Sequence, residues 1–354
     1  MENNIHYTTI CLSGGGIKGF SFIGALEYME EQNKINISEI NNWVGTSAGS
    51  LVSFILSIDY SIKDLKEFVL DFNFKKLIPD VDIDNLFNHH GIDNGDKIML
   101  IMKNFLKEKL DLDDITFEDH MKITNKKLTI IGTNYSKGIE AVFNHILTPK
   151  MSVLLAIRIS MSVPIIFTPV LYENDYYIDG GFVNNFPLDK CNPLYTLGIY
   201  IKNSVGMKMK DIFTLATGCM GIIADTISRK SCLNNYNVIE IENCDNEVTN
   251  FNLDYDKKLK IINLGIIFAK KFLENVKIKN NDKECMTDFE PKSLIGEKIS
   301  RMTDFETKSL IGELSRMTDF EPKSLIGEKI SRMTDISNNI VKVDNMTQTD
   351  FTNH

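Results

Sequence analysis

The pentapeptide Gly45-Thr46-Ser47-Ala48-Gly49 constrains this chain more than any other stretch. It has the Gly-x-Ser-x-Gly form, in which a serine sits on a sharp turn between a strand and a helix, and the glycines stand where a side chain would obstruct the bend. A strand signal, Asn42-Trp43-Val44, precedes it, and a helix-like run from Ala48 to Ile58 follows. Upstream, Tyr7 to Ser13 reads as an apolar strand running into Gly14-Gly15-Gly16-Ile17-Lys18-Gly19. Phe22, Ile23, Leu26 and Met29 then share one face of a helix. The chain therefore opens strand, glycine loop, helix, strand, elbow, helix, which is the βαβ start of a parallel sheet.

A Ser–Asp–His hydrolase of the usual chain order needs a late histidine. The last residue, His354, is the only one after position 145. A nucleophilic Ser47 would need activation by something other than the usual imidazole. His120 and His145 are isolated, and a triad using either would run in an unfamiliar order. His89-His90 lies beside Asp93 and Asp96, but the spacing is unspecific and reads as a solvated loop before a metal site.

The glycine loop matches Gly14-x-Gly16-x-x-Gly19, literally a dinucleotide fingerprint. A nucleotide site also wants an acidic residue ending the second strand. Glu39 lies before that strand, and the serine elbow occupies its end. No Gly-Lys-Ser/Thr is present. Successive glycine N–H groups at a helix start also suit an oxyanion, and beside a serine that use fits better. Lys18 reads either as an electrostatic helper to an anion or as a solvated loop lysine. Asp179, in Asp179-Gly180-Gly181 after the strand signal Asp175 to Ile178, reads either as a catalytic base or as a hairpin turn.

Further strands are expected at Leu128 to Thr133, Ala141 to Phe143, Tyr195 to Ile201 and Asn237 to Glu242. Helices are expected over most of Asp59 to Met121, over 152–160, 207–230 and 254–276, with a loop around His89 to Asp96. The apolar run Ile212 to Ile227, broken by Gly218, Gly221 and Asp225, reads as a buried helix, short of a membrane span. A net charge of -9 argues against nucleic acid as a partner. The six cysteines, Cys11, Cys191, Cys219, Cys232, Cys244 and Cys285, form no Cys-x-x-Cys and read as reduced core thiols. The N-terminus lacks the order of a signal peptide, so a cytoplasmic protein is expected, with room for peripheral contact with membranes.

From Met286 the chain repeats. Residues 317–332 are identical to 286–301. Residues 302–316 repeat them with one deletion and Thr307 in place of proline, and Met333 begins a fourth copy. The period of about 16 is too short for common helical-pair repeats. A helical or weakly structured appendage is expected, with protein contact through the repeats as the other reading.

Taken together, these motifs resemble the patatin-like phospholipase family. The resemblance rests on Gly14 to Gly19, Gly45 to Gly49 and Asp179-Gly180-Gly181, in that order. It also rests on Ile159-Ser160-Met161-Ser162-Val163-Pro164-Ile165-Ile166-Phe167-Thr168-Pro169, similar to the family's Ala-Ser-x-Ser-x-Pro-x-x-Phe-x-Pro stretch. Lys18 stands where many members have arginine, and Ile159 replaces the alanine. The resemblance implies a three-layer α/β/α fold with a mainly parallel sheet over residues 5–278; it does not cover the repeats over 286–335 or the tail over 336–354, whose polar composition reads as disordered. It implies a Ser–Asp dyad: Ser47 as nucleophile, Asp179 as proton acceptor, and Gly14, Gly15 and Gly16 bounding an oxyanion hole. Lys18, Gly19, Gly45, Gly49, Gly180 and Gly181 would support these motifs. The implied activity is calcium-independent hydrolysis of a phospholipid or other acyl ester, with no cofactor and no metal. A lipid- or partner-binding protein with weak turnover, acting through the repeats, is the second reading.

Overall fold

The computed structural model describes residues 6–77, 83–202, 212–232, 237–242 and 253–287. Those up to Lys279 belong to one compact unit, and residues 280–354 form a second. The readings of the repeats from residue 288 onward and of the tail lie outside the described residues.

The chain opens with β1 (Thr9–Leu12), a 3-10 turn at Gly16–Gly19 and α1 (Phe20–Glu31), then β2 (Asn42–Thr46) and α2 (Ala48–Ser57). Next come α3 (Ile62–Asp71), α4 (Ile83–His89), β3 (Gly91–Asp93), α5 (Asp96–Leu110) and α6 (Phe117–Thr124). After these lie β4 (Lys127–Asn134), β5 (Ile139–Asn144), α7 (Val153–Ser160), β6 (Ile165–Phe167), β7 (Val170–Tyr172) and β8 (Asp175–Asp179). The last described elements are β9 (Thr196–Lys202), α8 (Ile212–Cys232), β10 (Asn237–Glu242) and α9 (Tyr255–Thr287).

The central sheet runs β10-β9-β1-β2-β4-β8-β7, with β5 on β4. Pairs from β10 through β4 are parallel, and those of β4 with β5 and β8, and of β7 with β8, are antiparallel. Parallel strands are covered on both faces, which is why β1 is buried at every residue, its Thr9 included, and reads as a largely apolar run. Alternation still sorts the two faces. Ile10, Leu12, Trp43, Leu197, Ile199 and Ile201 join the large cluster with Phe22, Leu26 and Phe54 of α1 and α2. Cys11, Val44 and Tyr200 meet Phe186 and Leu188 in a smaller one. Helices flank the mainly parallel sheet, as the expected α/β/α architecture requires.

Local signals set the helix starts. Ser61 accepts from the Asp64 N–H while Asp64 accepts from the Ser61 N–H, a reciprocal cap on α3. Thr116 and Ser152 cap α6 and α7 through N–H groups three residues on.

The structure departs from the expectations in four places, one of them the unexpected three-residue strand β7 on the edge of β8. The expected loop at His89 to Asp96 contains β3, which pairs in parallel with β6 as a separate two-stranded sheet. Strands of three residues are too short to show alternation. The cysteines are not all core thiols: Cys11 is buried, Cys191 half-buried and Cys219 exposed. The helix expected to be buried, α8, is only half so. Ala224, Asp225 and Ser228 are buried, but Leu215, Ile222 and Ile223 are exposed. Among the described residues, no helix is long and apolar enough to cross a membrane.

Candidate active site

The register of β4 brings the site together. β5 occupies one edge of this strand, from Thr129 to Asn134. On the opposite edge, β2 pairs in parallel and stops at Thr46, opposite Ile131. The very next residue, Gly132, pairs with Asp179 at the end of antiparallel β8. Two strands running in opposite directions therefore end head to head on one edge, and the residue that turns out of β2 is Ser47. Residues separated by more than 130 positions become neighbours through backbone pairing. The Thr46 hydroxyl reinforces the junction by donating to the Asn184 carbonyl at 2.9 Å.

Ser47 has φ 51° and ψ -121° and forms the N-cap of α2. A positive φ in a residue with a Cβ is strained and persists only where surroundings over-determine it. Here three features do so. The Ser47 carbonyl accepts from the Ser50 N–H at 2.9 Å and from the Ser50 hydroxyl at 2.6 Å. Its N–H donates to the Ser160 Oγ at 2.8 Å, and Ser160 in turn donates to the Ile131 carbonyl at 2.6 Å. The helix start also packs hard against β1: a Cβ on Gly49 would lie 2.4 Å from the Leu12 carbonyl oxygen. Gly45 faces Gly49 with no more room, a Cβ there meeting its carbonyl at 2.5 Å.

Asp179 is 2 % exposed. The residues after it form a short 3-10 turn, Gly180–Phe182, so the hairpin reading does not hold. Its Oδ1 accepts from the Gly181 N–H at 2.7 Å. Its Oδ2 is buried without a hydrogen bond of ordinary geometry, although the Ser47 hydroxyl stabilises the charged form. Burial raises the carboxyl from its ordinary 3.8 to about 6, against the opposing pull of Ser47 and the Gly181 N–H.

The glycine loop faces this pair. Gly14, Gly15, Gly16 and Gly19 line the same cavity as Ser47, Asp179 and Gly181. Gly16 has φ 55°, the left-handed turn that aims the loop into its 3-10 helix. The three glycines are not equivalent donors. The Gly14 N–H already donates to the Asn185 carbonyl at 2.9 Å. No acceptor is seen among the described residues for the N–H groups of Gly15 and Gly16. Lys18 is 3 % exposed and is not among the residues that line the cavity, so the solvated-loop reading is wrong. Gly45, Gly49 and Gly180 support the turns from behind.

The cavity has a volume of about 260 Å³. Beyond the polar cluster its wall is apolar: Leu51 and Ile55 of α2, Leu65 and Phe68 of α3, Ile101 and Met102 of α5. None of its described lining residues is a histidine. His120 is buried elsewhere, bonded to the Ser57 hydroxyl at 2.8 Å, and burial lowers it to about 4, so it is neutral at pH 7. His89 and His90 are exposed, and among the described residues no group of three or more ligating side chains could hold a metal.

Three contributors escaped the sequence reading of roles. Ser160 had been noted only as part of a motif. Asn185 frames the loop through its carbonyl, and its Oδ1 would lie 2.3 Å from a Cβ on Gly14; nothing in the sequence singled it out. Arg158 is the third. It is 8 % exposed and donates from Nε to the Asn94 carbonyl at 2.8 Å, and from its other nitrogens to Ser162 Oγ and to the carbonyl and hydroxyl of Thr168. The Ser162 carbonyl accepts from the Asp179 N–H at 2.9 Å, so Arg158 braces the loop behind the carboxylate. A lone charge inside the apolar Val153–Ser160 helix was its available signal.

A family model described as Patatin-like phospholipase matches residues 10–191, which include the glycine loop, the elbow and Asp179. "Probable lipid hydrolase 463L" of Invertebrate iridescent virus 6 is 30% identical over 241 residues, covering 67% of this chain and 78% of that protein. "Uncharacterized protein R571" of Acanthamoeba polyphaga mimivirus is 33% identical over 181 residues, 51% of this chain and 59% of its own. Among solved structures, VipD from Legionella pneumophila superposes with a TM-score of 0.56 at 17% identity, covering 77% of this chain and 67% of that one, a likeness of fold.

Proposed function

The chain belongs to the patatin-like phospholipase family, and on that premise we propose that it is a lipid acyl hydrolase of the phospholipase A type, working through a Ser47–Asp179 dyad. The observation that carries the reading is the pairing of consecutive residues of β4, Ile131 and Gly132, with the ends of β2 and β8 at an apolar cavity.

Asp179 accepts the Ser47 proton as Oγ attacks the ester carbonyl. A carboxyl raised to about 6 remains ionised at pH 7 yet is a stronger base than an exposed aspartate. The Gly15 and Gly16 N–H groups hold the tetrahedral oxyanion, and Gly14 holds the loop in place through Asn185. Loss of one such donor typically costs about 10² to 10³ in rate. The intermediate collapses, the C–O bond to the leaving alcohol breaks, and Asp179 returns the proton to that alcohol or lysolipid. Water, deprotonated by Asp179, then attacks acyl-Ser47 and releases the fatty acid. The acyl chain lies in the apolar cavity between α2, α3 and α5. Neither step requires a metal ion.

The test is hydrolysis of a fatty-acyl ester by the purified protein and by its Ser47→Ala and Asp179→Asn variants. Each variant should lose turnover while staying folded, and substantial residual activity in either would remove that residue from the dyad.

A further inference from the structure

Among its described residues, α8 carries its amphipathic pattern inside out. Its inward residues are small or polar: Gly221 and Ala224 line the cavity that holds Ser47, and Asp225 and Ser228 are buried. Its described outward residues are apolar except for Thr226. Leu215, Cys219, Ile222 and Ile223 are exposed and spaced for a single face, with Ile222 at 70%. The rotation of the helix is fixed by the buried hydrogen bond from the Tyr200 hydroxyl of β9 to the Asp225 carboxylate. A helix folded for water alone would turn the other way, burying isoleucines and exposing Asp225. An apolar stripe held outward beside a catalytic cavity marks a surface meant to be covered.

We propose that the outward face of α8 docks on a zwitterionic lipid surface and sets the cavity mouth against the layer that supplies its acyl chains. The inference rests on the acyl-hydrolase reading for its occupant. The choice of lipid follows from two facts. The helix forms part of the cavity wall, so the covering surface adjoins the path by which substrate enters. The stripe itself carries no charge, and the chain's net charge of -9 repels anionic membranes. Docking by apolar burial is also insensitive to salt, unlike attachment through basic residues. The helix lies outside residues 10–191 matched by the family model.

The experiment uses the full chain in two backgrounds. In the Ser47→Ala background, protein is sedimented with phosphatidylcholine vesicles at low and at high salt. It should pellet at both, and Leu215→Asn/Ile222→Asn should leave it in the supernatant. In the active background the double variant should retain turnover of a short-chain, water-soluble ester within about twofold. Its hydrolysis of vesicle lipid should fall at least tenfold, since burying one such side chain is worth about tenfold or more. Ile222→Asn alone, at the more exposed position, should fall in the same direction and covers the case in which the double variant misfolds. Unchanged sedimentation and vesicle hydrolysis in the variants would overturn the proposal. So would binding only to anionic vesicles, reversed by salt, or a stripe whose substitution merely converts a dimer to a monomer. A wild type that pellets on vesicles but turns over no soluble ester would instead refute the hydrolase reading and leave the docking surface standing.

Discussion

Asp179→Asn should make the protein more stable at neutral pH while abolishing its activity. The carboxyl is buried, its Oδ2 makes no ordinary hydrogen bond, and its pKa is raised from 3.8 to about 6. A group whose folded pKa lies above its unfolded value binds more protons in the native state between the two, so stability falls as pH rises through that window. The contribution is fully present below about 3.8 and lost above about 6. A shift of roughly two units corresponds to roughly 3 kcal/mol. Asparagine is neutral throughout and keeps an oxygen for the Gly181 N–H, so it escapes this penalty. The assay is thermal or denaturant unfolding of both proteins from pH 4 to pH 8, read as the difference between them so that other titrating groups cancel. The variant's advantage should grow with pH up to about 6.5 and then level off, reaching on the order of 1–3 kcal/mol. A difference that stays constant with pH, or a variant less stable at pH 7.5, would refute the account of Asp179 as a buried carboxylate held against its desolvation cost.

Other outcomes follow from the same geometry. The kcat/KM profile should show an acid limb with an apparent pKa near 6, activity rising with pH because the base must be ionised; a limb near 4 would contradict it. Ser160→Ala should lower kcat about 10- to 100-fold with little change in KM, because it frees the Ser47 backbone from its tie to Ile131. Equal loss in both parameters would point to general disorder instead. Excess chelator should leave ester hydrolysis unchanged, and a metal-dependent rate would contradict the dyad chemistry. A chain lacking residues 286–354 should keep its turnover of a soluble ester if the fold's first unit carries the reaction.

Much of the fold was legible because its signals are local. Strand β1, the glycine loop, α1, β2 and the elbow each carry their own residues in order, and β10 appears at Asn237–Glu242 as expected. The three-residue strands β3, β6 and β7 were not legible, being too short to have a period. Asn185 was invisible because its contribution is made through its backbone carbonyl, which any residue could supply. Ser160 was visible as a residue but not as a role, since its bond to the Ser47 N–H crosses 113 positions of sequence. The orientation of α8 ran against the general rule that apolar residues turn inward. Only the burial of Asp225, bonded to Tyr200, shows which way it faces.

The central claim is that Ser47 carries the acyl group. The direct measurement is intact-protein mass spectrometry followed by peptide mapping after reaction with a long-chain fluorophosphonate. One adduct on Ser47 is expected, absent in Ser47→Ala and slowed in Asp179→Asn. An adduct on another residue, or ester turnover that survives in Ser47→Ala, would contradict the account.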